Sequence, residues 1–130
     1  MCLLQGLVLD REVQHPVRVL IDSGSTYQYM SSAFARKTSL EVVSGGDQPH
    51  WVQVANGTYM DASNQVKCTL VLGRYRTRID ARILDIPEFD IILGFDWLRT
   101  ANPIINWQDL SIQVRDDSGE LHELFPKEIS

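Results

Sequence analysis

Short apolar runs separated by polar and glycine-containing turns dominate the pattern along the chain and predict an all-β fold. Leu3–Leu9 and Val17–Ile21 are rich in branched residues, which indicates two strands joined by a polar turn that ends at Pro16. Further strands are predicted at Val66–Leu72, Tyr75–Leu84, Phe89–Gly94, Ile104–Trp107, Leu110–Val114 and Leu121–Phe125. The most apolar of these, Phe89–Gly94, is expected to be buried on both faces. No linker, repeat or low-complexity tract interrupts the pattern, so residues 1–130 are expected to form one domain.

Two short helices are predicted between the strands. Ser31 or Ser32 can cap a helix that continues through Lys37, because serine oxygens accept the free N–H groups of a first helical turn. Asp96–Arg99 has room for one or two helical turns before Pro103. The fold class predicted from the pattern is therefore all-β with one or two short helices.

A hairpin is predicted in the middle of the chain. The apolar segments Trp51–Ala55 and Thr58–Met60 flank Asn56-Gly57. Asn-Gly is the strongest short-range hairpin signal, because both residues tolerate the positive φ of a type I′ turn. We therefore expect a two-residue turn with its tip at Asn56 and Gly57.

Charge and hydropathy exclude two classes of partner. The formal net charge is −5 and the isoelectric point is about 5.0, whereas nucleic-acid binding depends on clustered Lys and Arg. No apolar run approaches the roughly 20 residues that span a bilayer, and no basic segment leads into a signal-type apolar stretch at the N-terminus. The sequence predicts a cytoplasmic protein that binds neither nucleic acid nor membrane.

The cysteines and histidines predict no metal site. Cys2 and Cys68 lie far apart and form none of the short pairs that mark zinc or redox sites, so both are expected to be reduced thiols. His15, His50 and His122 are isolated in the sequence and are expected to be surface or capping residues.

One carboxylate stands out because it directly follows an apolar strand. Val19–Ile21 leads into Asp22, Ser23, Gly24 and Ser25, a turn of small residues. A carboxylate at the end of a buried strand costs desolvation free energy unless neighbouring groups stabilise it. Gly24 permits close backbone approach, and the hydroxyls of Ser23 and Ser25 can hydrogen-bond the carboxylate or its support. Alone, an Asp-Ser-Gly turn is common in loops without function.

The surrounding sequence resembles that of retropepsin-like aspartic proteases. Val19–Ser25 resembles their signature of apolar residues, Asp, Ser or Thr, Gly, and Ala or Ser, and Ile91–Gly94 resembles their second mark, an apolar run ending in glycine before a short helix. Phe89–Leu98 resembles a sequence motif of proteases from gypsy-type LTR retrotransposons. The protease-like domains of ubiquitin-shuttle proteins resemble this sequence less well. The resemblance covers a core of about residues 7–114, with 115–130 expected as a C-terminal hairpin, and implies a closed β-barrel with one lobe per chain.

A second Asp-Ser-Gly, at Asp117–Gly119, raises the alternative of a two-lobed enzyme. Asp117 follows Arg115 and Asp116 rather than apolar residues, and too little chain remains after Gly119 for another lobe. This tripeptide is predicted to be a hairpin turn. One chain then supplies half of a catalytic pair.

The resemblance implies an aspartic endopeptidase that needs no cofactor and is active as a homodimer. Asp22 would be the catalytic residue of each subunit, with Ser23, Gly24 and Ser25 supporting its turn. The substrate would be an extended peptide within a Gag-Pol-like polyprotein, processed in the cytoplasm or inside virus-like particles.

The resemblance also assigns a flap and a pocket residue. By position the Asn56-Gly57 hairpin would be the flap that closes over the peptide, with Val54 and Thr58 beside its tip. Ile92 would line a substrate side-chain pocket. An ordinary surface hairpin is the alternative interpretation of this segment.

Two positions depart from the retroviral pattern. Thr26 and Phe95 occupy positions where many retroviral enzymes carry an acidic residue and an arginine that pair near the dimer interface. Two functional classes other than an active peptidase stay open. One is a catalytically silent binding or scaffold domain, either a domesticated element or a ubiquitin-shuttle-like domain, and the other is an unrelated β-barrel.

Overall fold

The computed structural model describes residues 2–54 and 56–129. Thirteen strands and two helices are found in these residues. The strands are β1 Cys2–Asp10, β2 Val13–Ile21, β3 Gln28–Ser31, β4 Val42–Val43, β5 Trp51–Gln53, β6 Tyr59–Asp61, β7 Gln65–Leu72, β8 Tyr75–Leu84, β9 Ile91–Leu93, β10 Ile104–Asn106, β11 Ser111–Arg115, β12 Leu121–Leu124 and β13 Glu128–Ile129. The helices are α1 Ser32–Arg36 and α2 Phe95–Ala101. In the described part of the chain, no helix has the length and apolarity needed to cross a membrane.

Six strands close into a barrel, which confirms the predicted fold. Their order is β1-β2-β9-β3-β8-β7, and the pairing of β1 with β7, for example Leu7 with Val71, completes the ring. The β2–β9 and β3–β8 pairs are parallel, while the other pairs of the ring are antiparallel. A three-stranded sheet, β10-β11-β12, and the two-stranded hairpin β5-β6 complete the strand pairing outside the main sheet.

The placement of β9 between β2 and β3 positions the candidate site. β9 pairs with β2 in parallel register from Val19 to Ile21 and with β3 through Tyr29 and Met30. The chain leaves β2 at Ile21, turns, and re-enters the sheet as β3 on the other side of β9. The turn at Asp22 therefore lies over the end of β9 at Gly94.

The core fills the barrel with branched and aromatic side chains. Val8, Val19, Met30, Leu70 and Ile91 have no exposed surface, and such complete burial is worth about 1.5–3 kcal/mol for each large apolar side chain. Both cysteines are free thiols buried in this core. Burial raises the pKa of the Cys68 thiol to about 11, so this thiol stays protonated at neutral pH.

The first hairpin is longer than predicted. β2 begins at Val13, so Pro16 lies inside the strand opposite Leu7 of β1. β9 pairs with β2 only from Val19 onward. Pro16 therefore has a neighbouring strand on one side only, and such an edge position is where a strand tolerates proline.

The chain termini also differ from the expectation of a simple C-terminal hairpin over residues 115–130. The predicted turn joins β11 to β12, with Asp116 N–H bonded to the Glu120 carbonyl at 3.0 Å. The chain then returns to the main sheet, where β13 pairs with β1 through Cys2 and Leu3. Strands β3 and β4, which the pattern did not predict, are short and pair with distant segments.

Candidate active site

The carboxylate of Asp22 lies at the end of β2 in a turn fixed by backbone hydrogen bonds. The Asp22 N–H donates to the Leu93 carbonyl at 2.9 Å, and the Ser25 N–H donates to the Asp22 carbonyl at 3.1 Å. Oδ1 of Asp22 accepts the Gly24 N–H at 2.9 Å, and among the hydrogen bonds between described residues Oδ2 receives none. The half-buried side chain thus keeps one oxygen open for a further group.

Gly94 allows the turn to pack directly on the end of β9. A Cβ at this buried position would lie 2.6 Å from the carbonyl oxygen of Ser25 and closer still to that of Tyr27. Real Cβ atoms do not approach backbone oxygens this closely, so any larger residue would displace the turn. Glycine at this position is therefore required by the close approach of two backbone segments.

The first turn of α2 is capped by the segment that follows Asp22. Phe95 N–H donates to the Ser25 carbonyl at 2.7 Å, and Asp96 N–H donates to the Thr26 carbonyl at 3.1 Å. The first N–H groups of a helix lack partners within the helix. The first N–H groups of α2 therefore find their acceptors in the Asp22 turn, and the helix start and the turn form one hydrogen-bonded unit.

Gln28 completes this cap from β3. Its side-chain oxygen accepts the N–H of Trp97 at 2.9 Å, and its amide nitrogen donates to Asp96 Oδ2 at 3.4 Å. Gln28 and Trp97 are each 5% exposed. Loss of the Gln28 oxygen would therefore leave the buried N–H of Trp97 without an acceptor. Sequence reasoning did not single out Gln28, because no local pattern relates a glutamine in a short strand to a helix that begins at residue 95.

A cleft of about 910 Å³ opens in front of Asp22. Tyr29 and Leu84 line it, and behind the cleft surface they pack with the buried Ala62 in a small apolar cluster. Burial raises the pKa of the Tyr29 hydroxyl, so this group stays neutral. The other lining residues that matter for the site are Leu20, Val52, Val54, Gly57, Ile86 and Ile92.

The hairpin β5-β6 forms the opposite side of the cleft, but its turn differs from the prediction. Gly57 N–H donates to the Val54 carbonyl at 2.9 Å, and Val54 N–H donates to the Thr58 carbonyl at 2.9 Å. Gly57 has φ +87°, and its hydrogen bond closes a turn from Val54 to Gly57 instead of one centred on Asn56-Gly57. The predicted type I′ turn is therefore wrong: a wider loop closes on one left-handed glycine, and Asn56 Oδ1 accepts the Thr58 N–H at 3.0 Å.

Tyr27, which follows the Asp22 turn, contacts residues near the base of this hairpin. The guanidinium carbon of Arg82 lies 5.1 Å from the centroid of the Tyr27 ring, a cation–π distance. The His50 ring meets Tyr27 edge-on at 5.5 Å. Arg82 also donates to the Ala62 carbonyl at 3.2 Å. These residues were missed by sequence reasoning because their contacts span four separate segments.

The structure brings most of the predicted site residues into one cleft. Among the described residues, its lining includes six of them: Asp22, Gly24, Ser25, Val54, Gly57 and Ile92. Ser23, Asn56 and Thr58 do not line it. The serine hydroxyls do not hold the carboxylate as expected, since Ser25 Oγ donates to the Tyr27 carbonyl at 3.1 Å. The Gly24 N–H takes that role.

The second Asp-Ser-Gly forms an exposed hairpin turn, as predicted. Its anchor is the preceding residue, Asp116, whose Oδ1 accepts from Ser118 N–H at 2.9 Å, Ser118 Oγ at 2.6 Å and Glu120 N–H at 3.0 Å. His122 Nε2 lies 2.8 Å from Asp116 Oδ2. These hydrogen bonds, that of Ser118 Oγ first, hold the pKa of Asp116 well below its usual value.

Two of the three histidines are not isolated, which corrects the prediction for them. His122 pairs with Asp116, and Asp116, Glu120 and His122 hold ligand atoms within 4.8 Å of one another. His15 Nε2 lies 3.1 Å from Asp10 Oδ2. The backbone N–H of Ser39, and to a smaller degree His15, lower the pKa of the Asp10 carboxyl. Both pairs link residues that are near in sequence, five and six positions apart, but that do not form a motif.

A comparison with protein families gives one match that covers most of the chain. The family described as the PEG10/RTL1 protease domain matches residues 18–122. This range includes the Asp22 turn, the hairpin and the Gly94 segment.

A comparison with solved structures gives the same fold. The chain is similar to the retroviral protease-like domain of Ddi1 from Leishmania major, with a TM-score of 0.61 and 14% sequence identity. The match covers 98% of this chain and 96% of that one. At this identity the match shows the shared architecture.

Proposed function

Because the chain belongs to the PEG10/RTL1 protease domain family, a retropepsin-like family from a domesticated gypsy retrotransposon, we propose that it is an aspartic endopeptidase. Each copy contributes Asp22, and two copies form the active enzyme. The observation that carries this proposal is the Asp22 carboxylate, which accepts one backbone N–H at 2.9 Å and borders a cleft that the β5-β6 hairpin also lines.

The chemistry depends on two carboxylates held close together. Two such groups do not both ionise readily, so the pair shares one proton. The ionised member takes a proton from a water molecule that attacks the scissile carbonyl, while the protonated member donates to the carbonyl oxygen. The pair titrates as a unit and gives a bell-shaped dependence of rate on pH.

The cleft fits an extended peptide with apolar side chains. Val54, Ile92, Tyr29 and Leu84 all line it, and the first two pack against the cluster that contains the other two. An apolar lining favours burial of apolar side chains and excludes water from the reaction. We propose a Gag-Pol-like polyprotein as the substrate, with the hairpin closing over it as a flap.

Cleavage of peptides from the flanking sequence, measured between about pH 4 and 7, tests the proposal. Asp22→Asn should lower kcat/KM by about 10²–10⁴-fold, the usual contribution of a general acid or base. Asp117→Asn is the matched control, because it makes the same change in the other Asp-Ser-Gly and should leave activity unchanged. Equal activity of the Asp22→Asn variant and the unmodified chain would remove the proposal.

A second candidate is a catalytically silent binding or scaffold domain on the same fold. The observation that favours it is that one copy places a single carboxylate on the catalytic turn, so a chain that never pairs lacks the catalytic dyad. Sedimentation at high concentration together with binding of a pepstatin-like inhibitor separates the two. A chain that stays monomeric at high concentration and does not bind the inhibitor would support the catalytically silent domain.

A further inference from the structure

A second groove, of about 560 Å³, lies on the barrel where β1 pairs with β2 and β7. It shares no lining residue with the cleft in front of Asp22. Its apolar lining includes Leu7, Pro16 and Val71, and Leu7 lies opposite each of the other two across the sheet. We call this site the outer groove. The proposed peptidase reaction gives it no role.

The strand pairing of β1 is interrupted at the outer groove. On one side β1 pairs with β2 along its whole length. On the other side β13 pairs with the start of β1 and β7 with its end. Among the described residues, those at positions 4–6 therefore have a strand partner on one side only, and Gln5 and Gly6 line the outer groove. A stretch of strand with one free side is where an extended peptide can add its own main-chain hydrogen bonds.

Three exposed arginines border the outer groove. Arg18 lines it, Arg74 follows the lining residue Gly73, and Arg76 lies directly opposite Val71 in the β7–β8 pair. The side chains of all three arginines are exposed. Directly opposite residues of an antiparallel pair have Cβ atoms about 4.5–5.5 Å apart, so the side chain of Arg76 begins next to the groove lining.

The positive charge of these arginines is not balanced locally. Arg18 Nε lies 3.6 Å from Asp90 Oδ2, which also accepts the Arg18 N–H at 2.8 Å. Within the described part of the chain, Arg74 and Arg76 take part in no ion pair. The whole chain has a net charge of −5, so the outer groove is a basic site on an acidic protein. A local excess of one charge attracts groups of the opposite charge.

The lining of the outer groove favours an acidic polypeptide over a nucleic acid. Single-stranded nucleic acids are bound by aromatic side chains that stack on the bases, and no aromatic side chain is found among the described residues that line this groove. Guanidinium groups bind carboxylates through paired hydrogen bonds. Apolar lining residues accept apolar side chains, and an extended peptide can direct alternate side chains to different surroundings.

From these observations we propose that the outer groove binds an extended acidic segment of a partner polypeptide. The carboxylates of the segment pair with Arg74 and Arg76, and its apolar side chains contact Leu7 and Val71. Its main chain hydrogen-bonds to β1 at residues 5–6. Because this site and the catalytic cleft share no lining residue, binding here does not depend on peptide cleavage.

The test measures the dissociation constant of a short fluorescent peptide in which Glu alternates with Val and Thr, by anisotropy with the full chain. Arg74→Gln combined with Arg76→Gln should raise the constant about tenfold, since two exposed charge contacts are lost. The matched control combines Arg36→Gln with Lys37→Gln, which removes the same charge from exposed positions at the end of α1. It should leave the constant within about twofold. Raising NaCl from about 0.05 to 0.5 M should weaken binding at least about fivefold.

A charge exchange and a mapping experiment make the test specific. Arg74→Glu combined with Arg76→Glu should bind the same peptide with Lys in place of Glu more tightly than the unmodified chain does, because both charges of the contact are reversed. In a titration of the unmodified chain with the Glu peptide, amide chemical shifts should change at residues 5–7 and stay constant at Gly24.

Several results would overturn the proposal. They are a Glu peptide that binds no more tightly than its Gln counterpart, a control pair that weakens binding as much as the Arg74 and Arg76 pair, and shift changes confined to the catalytic cleft. Tighter binding of a uridine oligonucleotide or of phosphatidylserine vesicles would also overturn it, because the partner would then belong to another class. Thermal unfolding shows that each variant is folded. Should the double variant not fold, Arg76→Gln alone gives the same test with an effect of about threefold.

Discussion

The chain contains the tripeptide Asp-Ser-Gly twice, and the two copies have different environments. Asp22 follows a buried strand, and among the described residues its carboxylate accepts one hydrogen bond, from the Gly24 N–H. In the second copy Asp117 is exposed, and the structural role belongs to Asp116, which accepts hydrogen bonds from Ser118 and Glu120 and pairs with His122. The same tripeptide thus places its aspartate beside a cleft in the first copy and in an exposed hairpin turn in the second.

The difference lies in how many hydrogen bonds the carboxylate accepts. A carboxylate that accepts several is stabilised as an anion and has no oxygen left for chemistry. Asp116 is of this kind, and its pKa is lowered accordingly. Asp22 lies beside a cleft, and its Oδ2 accepts no hydrogen bond from the described residues. Its turn is held instead by backbone atoms of Leu93 and Phe95. Position in the fold, and not the tripeptide, decides which aspartate keeps a carboxylate oxygen open to a cleft.

The largest expected effect comes from Gly94→Ala, which disrupts the packing of the Asp22 turn against the end of β9. The added Cβ would lie 2.6 Å from the Ser25 carbonyl oxygen, so either the turn or α2 must move. We expect a loss of unfolding free energy of about 3 kcal/mol, at the upper end for overpacked sites, together with loss of peptide cleavage. Urea denaturation and kcat/KM measure the two effects.

Gly119→Ala is the matched control in the second tripeptide. Gly119 has φ +87° but no heavy atom within 4 Å of an added Cβ. Only the left-handed backbone opposes the change, at a cost of about 1 kcal/mol. If Gly94→Ala were no more destabilising than Gly119→Ala, the close packing of the Asp22 turn on β9 would be refuted.

A smaller effect is expected for Gln28→Leu, which removes the cap that joins β3 to α2. The buried N–H of Trp97 would lose its acceptor at 2.9 Å, and an unpaired buried donor costs about 1–3 kcal/mol. Denaturant unfolding measures the loss, and cleavage should weaken because the helix start also holds the catalytic turn.

Gln53→Leu serves as the comparison for this change. Gln53 is exposed on the β5-β6 hairpin and donates to the Gly57 carbonyl at 3.3 Å. Its substitution should alter stability by less than about 0.5 kcal/mol, as is usual at surface positions. Equal stability losses for the two variants would contradict the capping role of Gln28.

The smallest expected effect is that of Asp116→Asn, and it should depend on pH. The pKa of Asp116 in the folded protein is depressed below its usual 3.8. Its stabilising contribution is therefore fully present above about pH 5 and is lost as the pH falls toward the folded value. The melting temperatures of the unmodified chain and the variant should differ most near neutral pH, and the difference should shrink as the pH falls below 3.8 toward the lower pKa of the folded protein.

The control for the pH dependence is Asp117→Asn, which should leave the melting temperature unchanged across the range, because Asp117 is exposed. A gap between the unmodified chain and Asp116→Asn that widens on acidification would show that the carboxylate is not stabilised as an anion.

The parts of the fold that could be predicted from the sequence are those set by local pattern. The strands at Val66–Leu72 and Tyr75–Leu84 are confirmed within one residue, since their alternation and the Gly73 turn are contained in one stretch of chain. α1 has Ser31 as its cap, with its oxygen 3.4 Å from the Phe34 nitrogen. α2 ends at Ala101, before Pro103, as predicted.

The parts that could not be predicted depend on partners far away in the sequence. β3 is four residues long and contains Gln28, so it carries no strand pattern, and it forms because β8 and β9 lie on its two sides. Likewise Asp22 could be identified from the apolar run before it. Its supporting atoms, from Leu93, Gly94 and Gln28, are brought near it only by the closed barrel.

The pairing of β13 with β1 has a consequence for how this domain can be joined to other sequences. Cys2 lies opposite Ile129 on neighbouring strands, so the first and last strands of the described chain pair side by side in the main sheet. A domain with adjacent ends can be inserted into a larger polypeptide as a side branch that leaves the distance between the flanking segments almost unchanged. A short linker between those ends would likewise suffice to close the chain into a ring, or to give it new ends at an exposed loop such as residues 44–49.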